Sequence, residues 1–423
     1  MRIIILLLII SSVGIAQNRI NNKSLHSKYA ISSNRLTQDS ILEGYKKDLI
    51  SRPEKLNDKG IIHRLKEISL SMKRDSAAFN AVKNLLDKRK IFTPKVLCAA
   101  IECAKALFPG KFNQQIDSIL IATNDKYVFT YAAMYHLHYP QLRDKDYILN
   151  LLKKKFPKEG DEYLNQFRQS IQNIKNLSEE EIVDLLSWEY QKHKTVIFTF
   201  FRNNRIYPGI TIIRKPDGTF VRDEKDSIFY VQQLGLGVAN LPGFMRYGNT
   251  PQGIFSVQGF YVSPTESIGP TPNVITRLPF EKPVEEYLHG KIHSSSWNEQ
   301  VYSSLLPESL KDNGNMWEAY YAGKFGRRLL VMHGSTDDLD NYKNEIYYPL
   351  SPTKGCISSV EMWDSLGNNV LSDQSKLMNA YFSTGELKGF LVVINLDNKE
   401  ESVAIKDILP FILKAERKLN SEK

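Results

Sequence analysis

The sequence predicts a multidomain α+β protein in which an all-helical N-terminal region precedes a mainly β region. Three observations carry that expectation. Apolar residues recur at three- and four-residue steps over residues 40–193, short β-branched or aromatic runs bounded by Gly, Pro, Asn or Asp recur over residues 194–400, and the rhythm changes close to Lys194. A chain of 423 residues is also too long for one ordinary hydrophobic core.

Residues 1–16, MRIIILLLIISSVGIA, place Arg2 before a run of Ile and Leu and end on the small residues Gly14 and Ala16. That is the three-part layout of a secretory signal peptide. The run from Ile3 to Ile10 is far shorter than the ~20 residues a membrane-crossing helix needs, so cleavage after Ala16 is expected rather than a permanent anchor. The expectation is therefore an exported protein of the periplasm or cell envelope, with no stable membrane span after cleavage. Residues 17–39 are rich in Asn, Ser, Lys and Gln and read as a polar linker that does not pack.

Residues 40–193 read as roughly eight short helices, with breaks at Pro53, Pro94, Pro109, Pro140 and Pro157. Thr93-Pro94 marks one helix start, and Ser178 with Glu181 three residues later marks another as a capping box. The strand signals are TVIFTFF, GITII, SIFYVQQLGLGV, GIFSVQGFYV, RLLVMH and FLVVINL. Between them, residues 261–327 are rich in Pro, Ser and Gly and are expected to form a lid or inserted subdomain. Residues 401–423 read as a C-terminal helical tail. Because the rhythm changes near Lys194, a fragment starting near Glu189 is expected to fold independently.

The net charge of +9 comes from basic residues spread along the chain. No nucleic acid partner is expected, whereas anionic envelope polymers remain compatible. Three cysteines, Cys98, Cys103 and Cys356, cannot all pair within one exported chain. Cys98 and Cys103 lie five residues apart in a helical pattern, do not face each other and read as small buried apolar residues.

Cys356 has different neighbours. In SPTKGCISS, Gly355 and Cys356 occupy a turn 23 residues after His333, which with Gly334 ends the apolar strand of LLVMHGSTDD. A third piece, YGNTPQGIFSVQG, carries Thr250-Pro251-x-Gly253-x-Phe255. A free thiol with a pKa of about 8.5 is mostly protonated at neutral pH, so a nucleophilic cysteine needs a partner, commonly histidine. His333 is the candidate base, and the small Gly355 lets a substrate carbonyl approach the backbone N–H groups of the loop. His289 and His293 form an i, i+4 pair, but Gly290 weakens a helix there and no carboxylate stands at the metalloprotease position. They read as loop histidines, His136 and His138 as surface or packing residues, and no metal or cofactor is expected. Trp297, Trp317, Tyr320 and Tyr321 read as packing aromatics rather than a substrate groove.

A strand ending in His-Gly, a following loop, then Ser/Thr-x-Gly-Cys-Ile resembles the catalytic signature of the L,D-transpeptidase (YkuD-like) family. TPQGIF resembles the Thr-Pro-x-Gly-x-Phe strand that precedes it. The likeness covers about half of the chain, from Lys194 to Asn398, and none of the helical region. It implies an L,D-transpeptidase-like catalytic domain over residues 194–400, with Cys356 as nucleophile, His333 as base and the Gly334 carbonyl orienting the imidazole. It also implies that Thr353, Lys354 and Gly355 border the substrate or oxyanion.

The implied reaction is attack by Cys356 on the carbonyl at the L-centre of a diamino acid in a peptidoglycan stem, release of a D-amino acid, and passage of the acyl group to another stem's amine. Water as acceptor makes the same site an L,D-carboxypeptidase or an amidase-type hydrolase. The alternative of another class is a non-catalytic wall-binding scaffold, in which the helical region holds polymer or an envelope protein. Two departures stand out: Lys354 replaces a second His of many members, and Ser358 replaces a frequent Asn or Arg. Lys354 is expected to stabilise a thiolate or to contact an acidic stem, and the His-to-Cys interval implies an extended loop over residues 337–349.

Overall fold

The helical region begins earlier than its periodicity indicates. The computed structural model describes residues 19–137, 143–158, 160–172, 176–190, 193–290 and 296–421, so the expected signal peptide of residues 1–16 lies outside the described residues. Residues 17–39 were expected to stay unpacked, yet α1 (Ser32–Ser51) starts inside that stretch, and the residues before it are pinned to the far end of the chain. The Ile20 N–H donates to Asn379 Oδ1 at 2.8 Å, Ser27 N–H to the Gly367 carbonyl at 2.8 Å, and Ala30 is fully buried. Polar composition does not prevent this, because backbone groups make these bonds while most of the polar side chains stay exposed.

Eight further helices follow among the described residues: α2 (Asp58–Leu70), α3 (Ser76–Asp87), α4 (Pro94–Leu107), α5 (Asn113–Ala122), α6 (Lys126–Leu137), α7 (Lys145–Lys155), α8 (Glu162–Gln172) and α9 (Glu179–Ser187). Their starts follow capping chemistry. Asn57, Asp75 and Asp144 accept backbone N–H groups at their helix starts, Pro94 occupies the first turn of α4, and Ser178 and Glu181 form a reciprocal capping box. α4 is the central helix, packed against α2, α3 and α6. Its Ala and Cys residues are small enough to let neighbours close on it, and from Ala99 to Leu107 every residue is buried, Glu102 and Lys105 included.

The second half is α+β. Among the described residues eight strands close a barrel, in the order β1 (Thr195–Phe201), β10 (Gly389–Asn395), β4 (Gly253–Tyr261), β5 (Asn273–Arg277), β6 (Val331–His333), β7 (Ile357–Ser359), β3 (Val231–Leu234) and β2 (Gly209–Arg214). Only β1 with β10 and β6 with β7 pair in parallel. A separate ribbon joins β8 (Glu361–Trp363) to β9 (Asn369–Ser372). Such a closed barrel is not specific to the L,D-transpeptidase family, so that finer assignment rests on the motif.

Two boundaries differ from those in the sequence. Residues 261–327 are not a separate insertion, because β5 within them is a barrel strand between β4 and β6, and their helix α12 (Glu318–Lys324) packs on β4. The stretch also holds the short helices α10 (Val284–Tyr287) and α11 (Glu299–Ser303). Nor does residue 193 divide two cores. One cluster joins Leu65, Leu85 and Ala104 of the helices to Leu234, Leu241, Phe244 and Tyr342 of the barrel half. A second joins Ile182 and Leu185 of α9 to Phe198 of β1 and to Ile408 and Ile412 of α14 (Ile405–Ser421), the expected tail helix. A third lies between the strands, α12 and α13 (Asp373–Phe382). A fragment starting near Glu189 would lose α9 and leave the barrel side of both shared clusters without its helical cover, which weighs against independent folding.

Candidate active site

The three motif pieces converge on the parallel pair β6–β7. Met332 pairs with Ile357 and His333 with Ser358. Side chains alternate along a strand, so Met332 and Ile357 turn into the third core cluster while His333 and Ser358 share the opposite face. Cys356 lies in the loop that runs directly into β7, two residues before the Ser358 that pairs with His333.

His333 is buried, and its Nδ1 meets the Gly334 carbonyl. A carbonyl only accepts, so Nδ1 carries the proton and Nε2 is left as the basic nitrogen. Among the described residues no hydrogen bond reaches Nε2. Burial lowers the imidazole's pKa, opposed by the Gly334 carbonyl and by two carboxylates, Asp337 and Glu361. Burial also raises the Cys356 thiol, opposed by the Val331 backbone and by Arg327. Both shifts favour the uncharged pair at rest. The half-buried Cys356 Sγ lies 3.8 Å from the Leu329 carbonyl, a weak S–H contact, and makes no hydrogen bond to His333 among the described residues.

The loop behind the sulfur is firmly braced. Thr353 Oγ1 donates to the Cys356 carbonyl at 2.8 Å and accepts the Gly355 N–H at 3.0 Å, while Thr250 Oγ1 donates to the Gly355 carbonyl at 3.0 Å. The Thr250-Pro251 piece thus touches the Gly-Cys piece directly. Gly355 has φ of 110°, and a Cβ there would lie 1.9 Å from Arg327 Nη2. No other residue fits. The buried Arg327 donates to the carbonyls of Gly243, Gly248, Asn249 and Lys354 and so ties the nucleophile loop to the 243–249 loop.

These contacts correct two expected roles. The Gly355 N–H is taken by Thr353, so neither residue offers a free oxyanion donor there. Lys354 does not face the thiol side: its ammonium binds Glu102 of α4 and lies 2.9 Å from Ser69 Oγ of α2. The Glu102 carboxyl is pushed up by burial, with Lys354 opposing. Lys354 therefore anchors the Cys356 loop to the helical region. Cys103 lies buried on the same helix, its thiol pushed up by burial to about 12, and Cys98 is partly buried; both are free thiols.

Glu361 and Arg327 are not singled out by the sequence pattern. Glu361 is 1% exposed; its Oε1 accepts from Thr271 at 2.6 Å and Ser372 at 2.5 Å, while Oε2 has no hydrogen-bond partner. Burial pushes the carboxyl up to about 7. A Cβ at Gly334 would lie 2.0 Å from Oε2, so the Gly after the histidine makes room for this carboxylate. Nothing distinguishes Arg327 from Arg328 in the sequence.

Of the other candidates, His289 Nε2 lies 2.8 Å from the Gly389 carbonyl, whereas His293 and His138 lie outside the described residues. No metal-ligating cluster occurs among the described residues. Trp297 and Trp317 donate to the Lys282 and Lys311 carbonyls and pack with Tyr320 and Tyr321. Comparison of the chain with protein-family models, with curated proteins and with solved structures finds no match.

Proposed function

We propose that this chain is an exported cysteine acyltransferase of the L,D-transpeptidase type that acts on peptidoglycan stem peptides. The observation that supports the reading is that the loop holding Cys356 runs into β7, the parallel partner of the strand that ends in His333, while the Gly334 carbonyl takes the Nδ1 proton and leaves Nε2 as the basic nitrogen. A scaffold has no need of a free thiol next to the β6–β7 strand pair in a loop braced by Thr250, Thr353 and Arg327.

In the proposed reaction the thiol is uncharged at rest, and its proton passes to His333 Nε2 as sulfur bonds to the stem carbonyl carbon. The tetrahedral adduct collapses by breaking the C–N bond, and the imidazolium returns the proton to the departing D-amino acid's nitrogen. The amine of a second stem then attacks the thioester, loses its proton to Nε2 and releases the thiol. Concerted proton movement suits this site, because burial disfavours both the thiolate and the imidazolium.

Incubating the purified chain with a thiol-reactive β-lactam should give an adduct on Cys356 by mass spectrometry, and stem peptides should give cross-linked products. Trimmed stems without cross-links would make water the acceptor. Absence of both adduct and product would overturn the reading.

A further inference from the structure

Four arginines are buried among the described residues, and three are fully satisfied. Arg202 is paired with Asp397 and Asp407, Arg214 donates to the carbonyls of Leu186 and Trp188, and Arg327 is held by four carbonyls. Arg205 differs. It is 2% exposed, donates from Nη2 to Asn395 Oδ1 at 2.7 Å and lies 4.3 Å over the Phe201 ring, yet Nη1 has no hydrogen-bond partner and no carboxylate lies within ion-pair distance among the described residues. Burial lowers its pKa to about 10, with Glu318 opposing, so it remains a cation at neutral pH. Glu318 acts on it only from beyond ion-pair distance; a buried cation without a directly paired counter-charge is costly, and it persists where something else supplies the missing partner.

Arg205 forms part of the wall of a cavity of about 1020 Å³. The cavity lies between the helical region and the barrel, walled by α6, α8, the start of α9, the 240–252 loop and the 309–318 segment. Thr250 lines it while holding the Gly355 carbonyl, so the cavity lies behind the nucleophile loop. Its surface is rich in side-chain amides, among them Gln166, Gln169, Asn203 and Asn240, and the Asn313 Nδ2 is a second buried donor without a partner. Some of these groups already pair with one another, Gln166 Nε2 with Gln169 Oε1 at 3.2 Å and Asn249 Nδ2 with Asn240 Oδ1 at 2.8 Å, and an amide has both donor and acceptor capacity, so one so engaged can also serve the amides or hydroxyls of a ligand. The volume reaches the upper range of small-molecule sites.

We infer that this cavity binds a carboxylate-bearing ligand, with the Arg205 guanidinium pairing the carboxylate and the side-chain amides holding the rest of the chain. The guanidinium matches a carboxylate in shape and charge. Glu181, Asp312 and Glu318 also line the cavity, so its single buried cation is set against acidic neighbours. That balance favours a monoanion over a phosphate dianion. The carboxylate can belong to a peptide C-terminus or to a sugar acid. This inference goes beyond the Cys356 chemistry and does not depend on it.

Calorimetric titration of the full chain with trialanine, trialanine amide, glucuronate and inorganic phosphate tests it. Saturable binding of trialanine or glucuronate is expected, and whichever binds more tightly identifies the source. The amide should bind roughly tenfold or more weakly than trialanine if the peptide carboxylate is the ligand, since one charge-assisted contact is lost. Arg205→Met, which keeps an unbranched apolar stem over Phe201, should abolish carboxylate binding. Asn313→Asp keeps the oxygen that caps the Asn315 N–H, adds a negative charge to the wall and should weaken binding severalfold. Cys356→Ser should bind as wild type does, which separates this result from any failure of the acyl chemistry. The inference is overturned if neither carboxylate saturates, if phosphate binds more tightly than both, or if trialanine alone binds but its amide binds equally well. Wild-type affinity in a folded Arg205→Met also overturns it; should that variant not fold, wild-type affinity in Asn313→Asp does so.

Discussion

The two sides of the Cys356 loop differ sharply. On the side away from the thiol, every polar group discussed above is engaged: Lys354 with Glu102 and Ser69, the Lys354 carbonyl with Arg327, and the Gly355 N–H and carbonyl with Thr353 and Thr250. On the reactive side, Cys356 Sγ meets the Leu329 carbonyl weakly and feels the Val331 backbone, and His333 Nε2 has no hydrogen bond among the described residues. The loop is held from behind so that its front remains available, by Thr250, Thr353 and Arg327 of the barrel half and, through Lys354, by α2 and α4. A nucleophile positioned in this way loses little freedom when substrate arrives.

The largest break in that comparison should come from the reactive side. Cys356→Ser should abolish turnover and β-lactam labelling, because an alkoxide is far harder to generate than a thiolate beside the same imidazole. Its melting temperature should stay close to that of wild type. Retained turnover would place the nucleophile elsewhere.

His333→Gln should slow acylation by about 10²–10⁴-fold, the usual range for removing a general base. Stopped-flow acylation by a β-lactam measures this directly. Equal rates in the two proteins would reassign the base.

The braced side should respond mainly in stability. Glu102→Gln leaves the Lys354 ammonium buried without its counter-charge and should cost about 3 kcal/mol in chemical denaturation, within the usual range for breaking a buried pair. Replacing both partners, Glu102→Leu with Lys354→Met, should recover most of that loss. If the double variant is folded but reacts far more slowly at Cys356, the pair acts in positioning as well as in stability.

Glu361 gives the smallest effect and a defined pH signature. Its folded-state pKa of about 7 lies above the ordinary carboxyl value, so the folded protein holds this proton more tightly than the unfolded chain does. Its stabilising contribution is complete below about pH 4.5 and is lost as pH rises through 7, by at most about 3 kcal/mol. Glu361→Gln cannot ionise and should gain stability relative to wild type across that window. Parallel denaturation profiles from pH 4.5 to 7.5 would show that the carboxyl is not perturbed in this way.

Local patterns in the sequence carried the elements. Capping residues and apolar spacing mark helix starts such as Ser178 with Glu181, and β-branched runs mark β1, β2, β4 and β10. The Gly-Cys turn and the His-Gly strand end also stand out without a structure, because tight turns and strand ends have local signatures. Other features were not legible because they depend on residues far apart in the chain. Lys354 reads as a substrate contact until Glu102, some 250 residues earlier, is folded against it. Arg205 and Arg202 are near neighbours in sequence, yet one is answered by Asp397 and Asp407 and the other faces a cavity assembled from helices and loops.

The sequence by itself determined the longer helices and strands and which thiol has a glycine turn and a histidine-ended strand near it in the chain, since those follow from spacing and side-chain chemistry over a few residues. Only the tertiary structure decided that residues 19–39 pack, that β5 completes the barrel, that the two halves share cores and that the helices hold the nucleophile loop. Burial and charge pairing between distant segments are properties of the folded surface as a whole, and no local pattern encodes which buried charge will meet a partner.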